Sequence, residues 1–167
     1  MATKTYLKYI EDQFTQDMVR ALRDLGYAAM NDAYARRGFS NRTGNLHDSY
    51  ASAVYVNGAI VRSTLRYLEN PLSKTRDSKT GKTGHQTAKE YMEGHSFGAK
   101  NNEIVLVVIA AMYYAGILED SPHYRYVITP ARDYINAHWA KTVNPVYAKY
   151  GIKEKPRARV IKGERLK

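Results

Sequence analysis

An α+β fold is predicted for this 167-residue chain by three observations. Apolar residues recur every three or four positions from Tyr6 to Arg36, which is the helical period. The pattern then switches to alternation around Asn57-Gly58, a strong signal for a tight hairpin. Helical spacing returns after Thr129-Pro130. The expected architecture is a small antiparallel sheet of three or four strands, packed by a long N-terminal helix and a C-terminal helix. Residues 1–148 form one domain carrying a long basic insert, 71–102, and residues 149–167 form a basic tail.

The first helix is defined by Leu7, Ile10, Phe14, Met18, Leu22, Leu25 and Ala29, which fall on one stripe. Gly26 interrupts an otherwise good helical sequence. Thr43 or Asn45 is expected to cap a short turn ending at Asp48. In the hairpin, a type I′ turn at Asn57-Gly58 puts Val56 opposite Ala59, Val54 opposite Val61 and Tyr50 opposite Leu65. One face is then apolar, while Tyr55, Arg62 and Arg66 fall on the other. The run Ile104–Ala111 reads as a strand buried on both faces, Tyr113–Glu119 as a short helix and Tyr124–Ile128 as a further strand. Thr129 as cap and Pro130 at the first position open the last helix, which Pro145 should end or kink.

The segment Pro71–Asn102 is polar and basic, with no clear period before Thr87–Gly94. Neither it nor the tail carries enough apolar surface to offset its own ordering entropy, so both are expected to order only against a partner.

Composition narrows the functional classes. The net charge of +10 calls for an acidic partner: nucleic acid, an acidic protein surface or anionic lipid. Cysteine is absent, which removes disulfide and thiolate chemistry and suits synthesis in a reducing cytoplasm. The N-terminus has early charges and no apolar signal segment, and the run Ile104–Ala115 is too short to span a bilayer, so no membrane partner is expected. Tyrosine is abundant, 15 residues against 3 Phe and 1 Trp. Its large contact area and polar tip suit surfaces buried on assembly, though the edge of a small core would use it equally.

No catalytic constellation emerges. Gly81-Lys82-Thr83 resembles the end of a phosphate loop, but Arg76 stands where that motif needs glycine. His47, His85, His95, His123 and His138 have no zinc spacing. Glu119-Asp120 with His123, and Glu90 with Glu93, read more simply as helix capping and solvated faces. No catalytic, cofactor or metal residue is therefore assigned, and no cofactor is expected. Lys74, Arg76, Lys79 and Lys82 are candidates for phosphate contact without sequence specificity. Few aromatics lie between them, so base stacking is poorly supported.

The order of elements carries a resemblance. A long helix precedes Thr43-Gly44-x-Leu46-x-x-Ser49, then come a hairpin, a strand, the block Tyr114-Ala115-x-x-Leu118-Glu119 and a helix opening at Pro130-Ala131. Over roughly Leu7–Val143 this resembles the tail-completion or head–tail joining (neck) proteins of tailed bacteriophages, the lambda Z-like group. The chain departs from that pattern in two places. Asp120-Ser121-Pro122 stands where a glycine-threonine turn is usual, and the insert is long.

The resemblance implies a non-enzymatic virion protein, made in the host cytoplasm, that forms a homo-oligomeric ring at the head–tail junction through which DNA passes. Implied partners are further copies of itself, neighbouring neck, portal or tail proteins, and non-specific DNA. Candidate assembly residues are Tyr113, Tyr114, Leu118 and Glu119, with Lys153, Arg157 and Arg159 in the tail. The alternative is a basic, non-enzymatic nucleic-acid-binding protein.

Overall fold

A computed structural model describes residues 2–40, 42–98, 103–121 and 127–153, with side chains of the first helix described from Leu7 onward. The expected α+β architecture is found. Helix α1 spans Ala2–Ala35 and a short turn of helix, α2, spans Asn45–Asp48. Strand β1 (Tyr50–Val56) is central. Along one side it pairs antiparallel with β4 (Ile104–Ala110) over its full length. Its other side is shared by two short strands, β2 (Ala59–Ile60) at the hairpin end and β3 (Arg66–Tyr67) at the far end. Helix α3 (Gly84–Gly94) lies in the insert, α4 spans Ala115–Asp120 and α5 spans Thr129–Lys149.

The hairpin turns at Asn57-Gly58, with φ of 52° and 83°, as a type I′ turn requires. Val56 pairs with Ala59 as expected, but Tyr50 does not face Leu65. The ladder resumes three residues later, with Ala51 opposite Tyr67 and Ser52 opposite Arg66. A 3-10 turn at Arg62–Thr64 takes up the difference. Buried Thr64 makes that turn tolerable: its hydroxyl oxygen accepts the Val54 N–H at 2.8 Å, in place of a ladder carbonyl.

Even-numbered residues of β1 and β4 face α1 and α5. Met18, Leu22, Leu25, Val54 and Val143 form one buried cluster there, and Ala29, Met30, Tyr50, Met112 and Ala131 belong to a second. Gly26 does not break α1. It lets the helix lie close over the sheet, because a Cβ there would stand 2.6 Å from the Leu106 Cδ1. Helix α5 runs through Pro145 rather than ending there, with packing beyond it. Phe14 meets the rings of Tyr147 and Tyr150 edge-on at 5.3 and 5.5 Å, and Asp17 accepts from Lys149 and from the Tyr150 hydroxyl.

The other face of the sheet is also covered, which corrects two expectations. Tyr55 points to that face and is fully buried, with Ala51, Ala53, Ala88 and Met92. Its hydroxyl donates to the Met92 carbonyl at 2.5 Å, and burial pushes its pKa up to about 12. The covering element is α3, inside the insert that was expected to need a partner. It buries Ala88 and Met92, at i, i+4, against the sheet. A side chain of Met92's size contributes about 1.5–3 kcal/mol when fully buried. The insert is thus part of the domain as far as Gly98. The expected strand Tyr124–Ile128 lies outside the described residues up to Tyr126, and Val127 and Ile128 form a bend.

Candidate assembly surface

The two blocks that carry the resemblance turn out to be joints within the chain. In the first, Asn45, His47, Asp48 and Ser49 are all buried. The Asp48 carboxylate accepts from His47 Nδ1 at 2.6 Å and from the backbone N–H groups of Leu72 and Ser73, both at 2.9 Å. A buried carboxylate is stable only with such a set of donors. Here it ties the start of the insert to the sheet. Asn45 does not cap its own turn. The capping position is Gly44, and the Asn45 side-chain oxygen instead accepts the Gly84 N–H at 3.1 Å, at the start of α3. Gly84 is required at that joint, since a Cβ would lie 1.9 Å from the Asn45 carbonyl oxygen.

In the second block, Glu119 reaches the N-terminus of α5. Its carboxylate accepts the N–H groups of Val127, Ile128 and Thr129 at 2.6, 2.9 and 2.9 Å, and the Thr129 hydroxyl as well. Thr129 was expected to be the cap. The cap role falls to Glu119, whose negative charge also suits the positive end of the helix dipole. Tyr114 and Leu118 pack against the core cluster that holds Ala29 and Tyr50. Burial raises the Tyr114 phenol above its ordinary value, and a hydrogen bond with the Thr43 side chain opposes that. Tyr50 donates its hydroxyl to the Val127 carbonyl at 2.6 Å, and burial pushes its phenol well above the ordinary value.

The expected phosphate-contact residues divide. Lys79 sits 4.3 Å from the centre of the Tyr113 ring, a cation–π contact, and Lys82 pairs with Glu90. Arg76 donates to the Gly81 carbonyl at 3.3 Å. Lys74 is exposed. Gly81-Lys82-Thr83 is a turn leading into α3, and Thr83 with Gln86 forms a capping box there. Lys153 is exposed, while Arg157 and Arg159 lie outside the described residues.

The histidines serve packing. His47 is held by Asp48 and meets the Tyr34 ring edge-on at 4.5 Å. His85 lies against Tyr67, while His95 and His138 stack on Tyr91 and Tyr134 and donate to those residues' carbonyls. His123 is outside the described residues. Among the described residues no three His, Asp or Glu side chains gather to hold a metal ion, and no helix is long and apolar enough to cross a membrane.

Two features were not read from the sequence and leave groups facing outward. Among the described residues strand β4 is a sheet edge, pairing with β1 alone. Its hydrogen bonds to β1 use the odd positions, as the flanking bonds Ala111 N–H to Ser49 O and Asn57 N–H to Glu103 O fix. The N–H and C=O of Ile104, Leu106, Val108 and Ala110 therefore point away from β1, and the strand is half-buried along its whole length. Within Ile104–Ala110 itself there is no charge, proline or bulge, the usual devices that protect an exposed edge. The second feature is the start of α1, where Leu7 and Tyr9 are exposed.

The chain matches no protein-family profile, and neither curated proteins nor solved structures gave a significant match.

Proposed function

We propose that this protein is a structural ring component of the head–tail junction of a tailed bacteriophage, acting as a neck or tail-completion protein. The order of its motifs suggests this reading. The observation that carries it is the work those motif residues do. Asp48 and Glu119 each gather backbone donors from distant segments, and so lock the hairpin, insert and last helix into one rigid unit. A ring subunit needs such rigidity, because an error in subunit shape accumulates around a closed ring. The open β4 edge and the exposed start of α1 leave surface for neighbours.

The experiment is quantitative mass spectrometry of purified particles, paired with deletion of the coding sequence. The reading expects the protein in particles at a fixed ring-like copy number, and heads that fail to join tails when it is missing. Its absence from particles, together with salt-dependent binding of DNA by a monomer, would establish the basic nucleic-acid-binding alternative instead.

A further inference from the structure

We infer that the segment Arg157–Lys162 of one copy adds as a strand to the open edge of β4 in the next copy. This rests on the ring reading and names its subunit contact.

The acceptor is built from backbone. Among the described residues β4 pairs with β1 alone, and that pairing holds it along its full length. The N–H and C=O groups of Ile104, Leu106, Val108 and Ala110 form the unused side of the ladder. Such an edge takes up an extended chain by main-chain hydrogen bonds. Both faces of the sheet are already covered, by α1 and α5 on one side and α3 on the other. The edge therefore calls for a strand rather than a helix.

The sequence supplies one within 154–167, which lies outside the described residues. Pro156 and Gly163 bound the run Arg157-Ala158-Arg159-Val160-Ile161-Lys162. Breakers on both sides of a run with adjacent β-branched residues are the signal of a short strand. Extended, this run measures about 20 Å, close to the length of β4. It also carries what β4 lacks. Arg157, Arg159 and Lys162, with Pro156 ahead of them, are the charges and proline that close natural edges to further pairing. Once it is seated, the sheet ends on a guarded strand, so each edge accepts one segment and no more.

The point where the chain leaves α5 selects a neighbour over the same copy. Val146 and Tyr147 pack on the same core cluster as Ile104 and Leu106, and the Ile152 N–H donates to the Tyr147 carbonyl at 3.0 Å. The chain thus leaves at the end of the sheet where β4 begins. From Lys153 to Arg157 it can reach about 14 Å, which is short of the far end of a strand ~23 Å long. Its own segment could only run parallel to β4. A neighbour's segment is free to run antiparallel, the better-bonded direction. In that direction Lys162 arrives beside Glu103, the residue before β4. Each subunit gives one strand and receives one. This contact is head-to-tail, and it closes into a ring if the rotation per subunit allows.

The test is sedimentation velocity on the full chain, on Arg159→Pro with Val160→Pro, and on Val108→Pro. Of two adjacent strand residues one directs its N–H at the partner, so the double variant removes a donor whatever the register. It should keep the wild-type circular dichroism and melting temperature. The wild type should form an oligomer and each variant a monomer, with affinity lowered about tenfold or more. An equimolar mixture of the two variants should yield dimers and nothing larger, because one supplies the intact segment and the other the intact edge. A synthetic peptide of residues 155–163 should dissociate the wild-type oligomer, and the same peptide carrying both prolines should not. If the double variant keeps the wild-type oligomer, or the mixture stays monomeric, the contact is wrong while the ring reading stands. A wild type that remains monomeric at all concentrations overturns both.

Discussion

The two ends of this molecule differ in how their polar groups are satisfied. At the end holding α2, the start of the insert and α4, Asp48, Asn45 and Glu119 each bind backbone N–H groups of another segment. Along β4 and at the start of α1, backbone edges and apolar side chains face outward. The first region spends its chemistry on the fold, and the second leaves it available. Residues that make the motifs recognisable are therefore not the ones best placed to meet a neighbour. Among the candidate assembly residues, Leu118 and Glu119 are engaged within the subunit, and the outward residue of α4 is their neighbour Ile117, which was not a candidate.

The comparison can be broken by substitution at the joint. Asp48→Ala should be the most damaging change. It leaves two N–H groups and His47 without their acceptor in a buried site, at a cost of about 3–5 kcal/mol in urea unfolding. A loss under about 1 kcal/mol would mean that the insert is not fastened through this carboxylate. Glu119→Ala removes the acceptor at the start of α5 and should cost about 2 kcal/mol by the same measurement.

Much of the frame was legible in the sequence because it rests on local periodicity. The stripe on α1, the Asn57-Gly58 turn and the apolar run of β4 are all short-range patterns. What was missed depends on long-range pairing. No local signal says that Asp48 will bind Leu72 and Ser73, or that Glu119 will cap a helix ten residues later. Tyr55 was placed on the face opposite the apolar one with no helix to cover it, because Ala88 and Met92 are the only apolar side chains that α3 buries fully. One signal for it was present: Thr83-x-x-Gln86, the capping-box spacing. The register beyond Val61 failed because a 3-10 turn held by Thr64 has no distinctive composition.

The contrast between paired and open backbone sharpens within β4 itself. Val107 directs its N–H to β1, whereas Val108 directs its N–H outward. Val107→Pro should therefore destabilise more than Val108→Pro, by at least about 2 kcal/mol. Equal losses would show the edge to be assigned to the wrong side of the strand.

The smallest effect concerns the exposed pair that fastens α5 to α1. Hydrogen bonds from Lys149 and then Tyr150 hold the Asp17 carboxyl below its ordinary 3.8. A lowered folded-state pKa means that the pair's stabilisation is present above 3.8 and is lost as pH falls through the lowered value. Lys149 is raised above 10.5, chiefly by the same bond, so its share is lost only above that value in strong alkali. Thermal melts should show Asp17→Asn slightly less stable than wild type at neutral pH, with the gap closing as pH falls through that lowered value. A gap that persists there would point to packing rather than charge.

The central proposal is that copies of this chain close into a ring, and native mass spectrometry of the wild type over a range of concentrations tests it most directly. A single closed oligomer, giving way to monomer on dilution with no ladder of larger species, is the expected result. A monomer at every concentration, or an open series of ever larger species, would contradict it.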